Sequence, residues 1–451
     1  MSQVISSERP PEGARTEAEV ARNFRGFMVI WAAQLVARLG NGLTAFGLAV
    51  HVYQLTGRST AVAMVTMAAF LPAVLLAPLG GVLADRFDRR LLMILGDAFS
   101  AVGLVALLLA IHSGFGGVFV VYGCVAVSSV FTSVMDPAYR ATVTDLLTPE
   151  QYARAGGLVQ FATASQYLVS PAIAGVLMAW SGIALILAID IGTLAVTTLC
   201  MAMVWRTLNT EKTASERGFW ADFRFGVAFL RRNRGITMLM LLVTLVTFCM
   251  GFLQTLLTPL LLDLSNEAVS GVVRSVAAVG MVVSSLAIGI FNMGNRHLTY
   301  IAAGLTVGGV VVLLMGATVN VLVIGVLAFV FFMTLPPLNT SVEVLARHSI
   351  PNETQGKVWG LMGLISQLGY IIAYAVSGVL ADAVFNPLLT PDGALAGSLG
   401  LLIDVGPSRG IGLMLMIVGV MLIGTAVAIP RVKSVKRIGD NLLQQTVETK
   451  R

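Results

Sequence analysis

The chain has 451 residues, 57% of them hydrophobic and only 12% charged, with a net charge of +6. A soluble domain carries about a quarter charged residues, so this composition excludes a protein that faces water on all sides. Apolar runs of roughly 20 residues recur from end to end without period-2 alternation, which excludes a barrel and predicts membrane-spanning helices. In chain order the runs predict twelve spans: 25–53, 59–83, 91–112, 117–145, 155–180, 183–205, 236–262, 269–292, 298–316, 321–346, 356–383 and 409–429. The polar, basic stretch 206–235 divides them six and six. The expected layout is an N-terminal segment 1–24, a six-helix half 25–205, a linker 206–235, a second six-helix half 236–430 and a tail 431–451. In the linker, Phe219, Trp220, Phe223, Val227 and Leu230 share one helical face among Arg224, Arg231, Arg232 and Arg234. That pattern predicts an amphipathic helix on the membrane surface. Residues 384–408, rich in Pro, Gly and Asp, predict a loop between the last two spans.

Basic residues orient the spans. With the amino terminus inside, Arg58, Arg274 and Arg409 are the basic residues assigned to the outer face, and Arg38 lies within the first span. All other Lys and Arg fall on the inner side, so both termini are expected in the cytoplasm of a plasma-membrane protein. The positive charge is then a topology signal facing anionic lipid, and no nucleic-acid partner is expected. Cys124, Cys200 and Cys249 sit in apolar runs, which argues against a disulfide framework, and no cleavable signal peptide is expected. Spans five and eleven align without gaps: Gly157–Leu158 on Gly360–Leu361, Tyr167 on Tyr370, and "AGVL" at 174–177 on "SGVL" at 377–380. A second half that echoes the first marks a two-halved carrier with its site at the interface.

Between spans two and three the chain reads "GGVLADRFDRR", with five charges in six residues. Gly81, Leu83, Ala84, Asp85, Arg86, Arg89 and Arg90 resemble the G-x-L-A-D-R-x-G-R-R/K signature of the major facilitator superfamily, with Asp88 in place of the second Gly. The resemblance implies an all-α membrane fold of twelve helices in two pseudo-symmetric halves. "DPAYRATVTDLLTPEQYARAGGL" at 136–158, "IPNETQGKVWGL" at 350–361 and "GPSRGIGLMLMIVG" at 406–419 look like the drug:proton antiporter branch that includes macrolide-efflux-type proteins. That narrower likeness implies multidrug efflux and antibiotic resistance. On the inner face, Asp85 is expected to meet the helix amino terminus near Gln355, and Arg86 and Arg90 to reach Asp136 or Asp145. Glu343 is expected as the second half's gate charge, which completes a cytoplasmic gate of Gly81, Asp85, Arg86, Arg89, Arg90, Asp145 and Glu343. Plain positive-inside topology is the alternative reading of the same knot.

A charge inside a membrane is costly and marks function. Arg38 lies ~20 Å along span one, and Gln34, Arg38 and Asn41 give that helix a polar face. Arg38 is expected to hold a substrate anion or to pair with an acid. Asp190, ~10 Å inside span six, is the leading proton carrier. Asp97 and Asp136 complete the proton-coupling candidates, although their depth suggests membership of the inner-face network. The expected cavity is formed by Gln34, Arg38, Asn41, Gln160, Tyr167, Thr247, Gln254, Gln367, Tyr370 and Tyr374.

A mostly apolar cavity with a few polar groups suits an amphipathic small molecule better than a sugar. No H-E-x-x-H, G-x-S-x-G or Walker A pattern occurs, and the four His are scattered, so neither enzyme, metal site nor cofactor is expected. Energy must then come from an ion gradient, with protons as the coupling partner. The expectation is a monomeric secondary transporter that exports amphipathic or hydrophobic molecules by alternating access. The alternative is a carrier of lipids or other hydrophobic metabolites, or a facilitator of unknown direction.

Overall fold

The computed structural model describes residues 17–148, 151–204, 219–291, 294, 296–351 and 354–440. The expected N-terminal segment, the first part of the linker and the end of the tail fall largely outside them. Among the described residues, twelve helices are long and apolar enough to cross a membrane, and they match the predicted spans to within a few residues. The first half comprises α1 (Glu17–Thr56), α2 (Ser59–Arg86), α3 (Arg89–His112), α4 (Val118–Leu146), α5 (Tyr152–Leu168), α6 (Ser170–Ser181) and α7 (Ile183–Val204). After the linker helix α8 (Phe219–Arg232) come α9 (Arg234–Leu264), α10 (Glu267–Ile290), α11 (His297–Ala317), α12 (Val321–Ser349) and α13 (Gln355–Leu380). The short α14 (Asn386–Leu388) and α15 (Gly400–Ile403) interrupt the loop before α16 (Arg409–Ala428).

Span five is the exception to one helix per span. It breaks at Val169 because Pro171 has no N–H to continue the ladder, and proline is tolerated only in the first turn of the new helix. The linker helix also differs from expectation. Its apolar residues Phe223, Val227 and Leu230 join a small core with Ile236, Val358 and Leu361, so α8 packs onto α9 and α13 instead of resting on lipid alone. Gly226 gives it the close approach, with Leu361 directly opposite.

Packing repeats between the halves. In the first, α2 packs on α4, α4 on α3, and α7 on both α1 and α3. In the second, α10 packs on α12, α12 on α11, and α16 on both α9 and α11. The halves meet through α2 on α13 and, as the counterpart, α10 on α5 and α6.

The aligned tetrapeptides explain that seam. Gly175 of "AGVL" and Gly378 of "SGVL" each lie against the first turn of a helix in the opposite half. A Cβ on Gly175 would stand 2.5 Å from the Glu267 carbonyl oxygen at the start of α10. A Cβ on Gly378 would stand 2.5 Å from Thr60 Cα at the start of α2. Backbone on both sides leaves nothing soft to give. Gly378→Ala is therefore expected to cost this closed seam about 1–3 kcal/mol, the usual penalty of overpacking. The check is a spin-label distance between Arg58 and Pro391, which should lengthen; an unchanged distribution contradicts the close fit.

Candidate functional site

The seam has one sealed end. Tyr53 Oη donates to Asp263 Oδ1 at 2.7 Å, and Gln54 Nε2 donates to Glu267 Oε1 at 2.5 Å. Ser408 also bonds Asp263, so one carboxylate ties α1 to the start of α16. The N-cap residue of α2, Arg58, makes no side-chain cap. Asp382, in the π-turn that closes α13, supplies it from the other half. Its Oδ1 accepts from Ser59 N at 3.0 Å, and its Oδ2 accepts from Thr60 N at 2.7 Å and Thr60 Oγ1 at 2.6 Å. A carboxylate at exposed amide groups is the favourable charge for a helix amino terminus.

The opposite end, which carries the charged knot, is arranged locally. Asp88 caps α3: its Oδ1 accepts from Arg90 N at 3.0 Å, and the side chains form an ion pair at 3.0 Å. Burial pushes the Asp88 carboxyl up, but the hydrogen bonds and charge of Arg90 outweigh it and hold it below the ordinary carboxylate value. A depressed carboxyl contributes stability that is present at neutral pH and lost as acid protonates it. With φ −63°, position 88 needs no glycine, which accounts for the departure from the signature. Arg89 is buried and donates to the carbonyls of Ala84 at 3.2 Å and Ala141 at 3.4 Å, binding the end of α2 to α4. Arg86 is exposed. Glu343 pairs with Arg347 of its own helix at 2.5 Å, so the expected gate charge has a local partner here. The side chains of Asp85 and Asp145 lie outside the described positions. A Cβ on Gly81, Gly360 or Gly363 would meet nothing within 4 Å, so these three glycines are not in close contact.

Inside the first half lies a charged cluster. Arg38 Nη2 pairs with Asp136 Oδ1 at 3.1 Å, so Asp136 turns to span one and not to the knot. Asp97 is 2% exposed and lies within electrostatic reach of both Asp136 and Asp190, which removes it from the inner-face network as well. Helix geometry explains the difference, because α7 packs against both α1 and α3 and draws their polar faces together. Asp190 is 1% exposed and lies beside Thr44; its Oδ1 accepts from Thr193 Oγ1 at 3.3 Å, and among the described residues its Oδ2 makes no hydrogen bond of ordinary geometry. Among the described residues, Asp97 Oδ2, Arg38 Nε and both amide atoms of the fully buried Gln34 are also without partners. Buried polar atoms are ordinarily satisfied, so a cluster of orphans marks a functional place. Gly40 lets Asp190 lie against α1, since a Cβ there would stand 2.5 Å from Asp190 Oδ1.

Between the halves lies a cavity of about 210 Å³, bounded by α1, α2, α4, α5, α6, α9, α10 and α12. Tyr167 and Gln254 line it, as expected from the sequence. Tyr374 Oη donates to Gln254 Oε1 at 2.7 Å, and Phe70 packs edge-on against both Tyr370 and Tyr374. Thr247 is spent elsewhere: its hydroxyl donates to the Ser366 carbonyl at 2.6 Å, where α9 packs on α13. Gln34, Arg38, Asn41, Gln160, Gln367, Tyr370 and Tyr374 are not part of the lining, although Tyr374 touches it through Gln254. Sequence reasoning missed Phe46, Phe70, Gln166 and, above all, Arg274, which it assigned to the outer face. Arg274 lines the cavity and donates to Thr258 Oγ1 at 2.7 Å. Arg274 lies five residues, or ~8 Å, into predicted span eight, so the depth argument applied to Asp190 would have pointed to it. Arg409, assigned to the outer face too, is buried and donates to the Ile403 carbonyl at 2.9 Å. No group of His, Cys, Asp and Glu among the described residues is arranged to hold a metal.

The family model described as Major Facilitator Superfamily matches residues 30–374. The chain is 27% identical to macrolide efflux protein A of Streptococcus pyogenes over 365 residues, which is 79% of this chain and 90% of that one. It is 24% identical to the multidrug efflux pump Tap of Mycolicibacterium fortuitum over 378 residues, 79% of this chain and 89% of that one. In structure it resembles a bacterial homologue of the human lysosomal transporter Spinster, crystallised inward-facing and unoccupied. That likeness has a TM-score of 0.68 at 14% identity and covers 95% of this chain and 99% of the other, which speaks for the fold. With twelve spans, paired halves and a cavity between them, the chain belongs to the major facilitator superfamily and is a multi-pass membrane protein, a secondary transporter of small molecules and not an enzyme.

Proposed function

We propose that this carrier exports amphipathic small molecules by alternating access, coupled to the inward movement of protons. The observation that carries the reading is the cavity between the halves. Its walls are largely apolar, with polar side chains only from Thr66, Gln166, Tyr167, Gln254 and Arg274. Such a lining suits a molecule with an apolar body and few hydrogen-bonding groups. The drug-efflux relatives favour export, and the orphaned carboxylates Asp97 and Asp190 offer proton sites separate from the cavity. The chain acts as a monomer among membrane lipids.

In the orientation set by the basic residues, both termini are cytoplasmic in the plasma membrane. The sealed end is then external, and the state described here faces inward. Closure of the inner end would bring Gly81, Gly360 and Gly363 into contact and engage Asp85, Arg86, Arg89, Arg90, Asp145 and Glu343 as the cytoplasmic gate. The test of export is transport in proteoliposomes with an imposed pH gradient and a panel of amphipathic cations, neutral compounds and anions. Failure to move any of them uphill contradicts the reading. Orientation has its own test. A membrane-impermeant maleimide added to intact cells should label cysteines placed at Pro391 or Gly393 and spare those at Glu211 or Gln444. External labelling at Gln444 reverses the topology.

A further inference from the structure

Among the described residues, Arg274 has no acidic partner. It stands at the seam between the halves, with Nη1 on Thr258 Oγ1 at 2.7 Å and Nη2 on the Gln254 carbonyl at 3.2 Å. Its guanidinium carbon lies 5.8 Å from the centre of the Phe46 ring. No Asp or Glu among the described residues forms an ion pair with it. The acids of the membrane interior, Asp97, Asp136 and Asp190, lie in the first half on α3, α4 and α7, where Asp136 pairs with Arg38. Those of the sealed end are bound too: Asp263 by Tyr53 and Ser408, Glu267 by Gln54, and Asp382 by the start of α2. A positive charge therefore stands uncompensated in an apolar cavity, where a cation is stable only with a counter-charge or water.

The site is built to receive that counter-charge. A guanidinium has five N–H donors in a fixed fork, and the two bonds above leave others free. None of the Arg274 nitrogens is both buried and without a partner, so the free donors open into the cavity. Gln254 is held in place: its side-chain oxygen accepts from Tyr374 and its main-chain oxygen accepts from Arg274. The amide Nε2 beside them remains a second donor on the same wall. Around the pair lie Phe46, Leu253, Leu257 and Phe332, which supply apolar surface.

We infer that the cavity selects amphipathic anions, with a carboxylate, sulfonate or phosphate head held by Arg274 and Gln254 and an apolar body lying on the aromatic and aliphatic wall. This rests on the cavity being the substrate site. The arginine makes charge-assisted bonds to such a head and repels a cationic one.

The probes are 11-(dansylamino)undecanoic acid, its primary amide and the corresponding amine. Binding is read by dansyl fluorescence to the full chain in zwitterionic nanodiscs, with empty nanodiscs subtracted. The acid should bind at least ~10-fold tighter than the amide, and the amide tighter than the amine. Arg274→Gln should reduce the preference for the acid over the amide to less than about twofold, and Arg274→Lys should retain part of that preference. Equal binding of acid and amide to the unmodified protein overturns the inference without recourse to a variant. A preference that persists in Arg274→Gln also overturns it. Transport of the same probes separates the two readings: uphill movement of amide or amine without preference for the acid sinks the anion site and leaves export standing. Preferential binding of the acid without uphill movement of any probe sinks export and leaves the anion site.

Discussion

Asp190→Asn should abolish uphill export and spare downhill exchange. A proton moving inward through ~100 mV releases about 2.3 kcal/mol, enough for roughly 50-fold accumulation of a substrate moved one for one. The unmodified protein should approach that ratio in proteoliposomes, and Asp190→Asn should settle near equal concentrations on both sides. The reason lies in the surroundings of the side chain. Asp190 is 1% exposed, lies beside Thr44 and Thr193, and among the described residues its Oδ2 meets no ion-pair partner. It can take and release a proton without breaking an ion pair, whereas Asp136 would have to leave Arg38. Asparagine keeps the shape and the Thr193 contact but carries no exchangeable proton. Exchange of labelled for unlabelled substrate needs only alternating access and should survive. Gradient-driven export at the normal rate would eliminate Asp190 and leave Asp97, whose Oδ2 is equally without a partner. Loss of both activities would make Asp190 a structural residue.

Asp382→Ala should open the sealed end of the seam. The wild-type carboxylate caps α2 with three bonds across the seam, and α2 has no cap of its own. Loss of a charged cap costs about 2 kcal/mol, which shifts the ratio of inward- to outward-facing states roughly 30-fold toward outward. Spin labels at Leu55 and Asn266 should report a longer distance, and the uphill transport rate should fall because one half of the cycle is disfavoured. Asp85→Asn should move the balance the opposite way. If the proposed closure of the inner end brings that end of α2 to the start of α13, the same helix pair would be latched at either end in turn. Unchanged label distances in Asp382→Ala would reduce the cap to a local helix-end contact.

Twelve spans, their order and the division into halves were legible in the sequence because the cost of unpaired backbone in hydrocarbon leaves an apolar helix of about 20 residues as the repeating solution. The aligned "AGVL" and "SGVL" segments were legible as a repeat, although not as the two places where the halves touch. Arg38 and Asp190 were picked out as candidates by the cost of a charge at depth. Their partners did not follow, because neighbours across helices depend on rotation about each helix axis, and one residue changes the direction of a side chain by about 100°. Asp136 therefore met Arg38 and not the knot, Thr247 closed a helix contact and not the cavity, and Arg274 turned from the outer face into the seam. Asp382 was a loop-end acid by its neighbours in the chain. It became the cap of α2 only when a helix more than three hundred residues earlier was brought against it, since a helix amino terminus presents free amide groups to whichever oxygen the packing supplies.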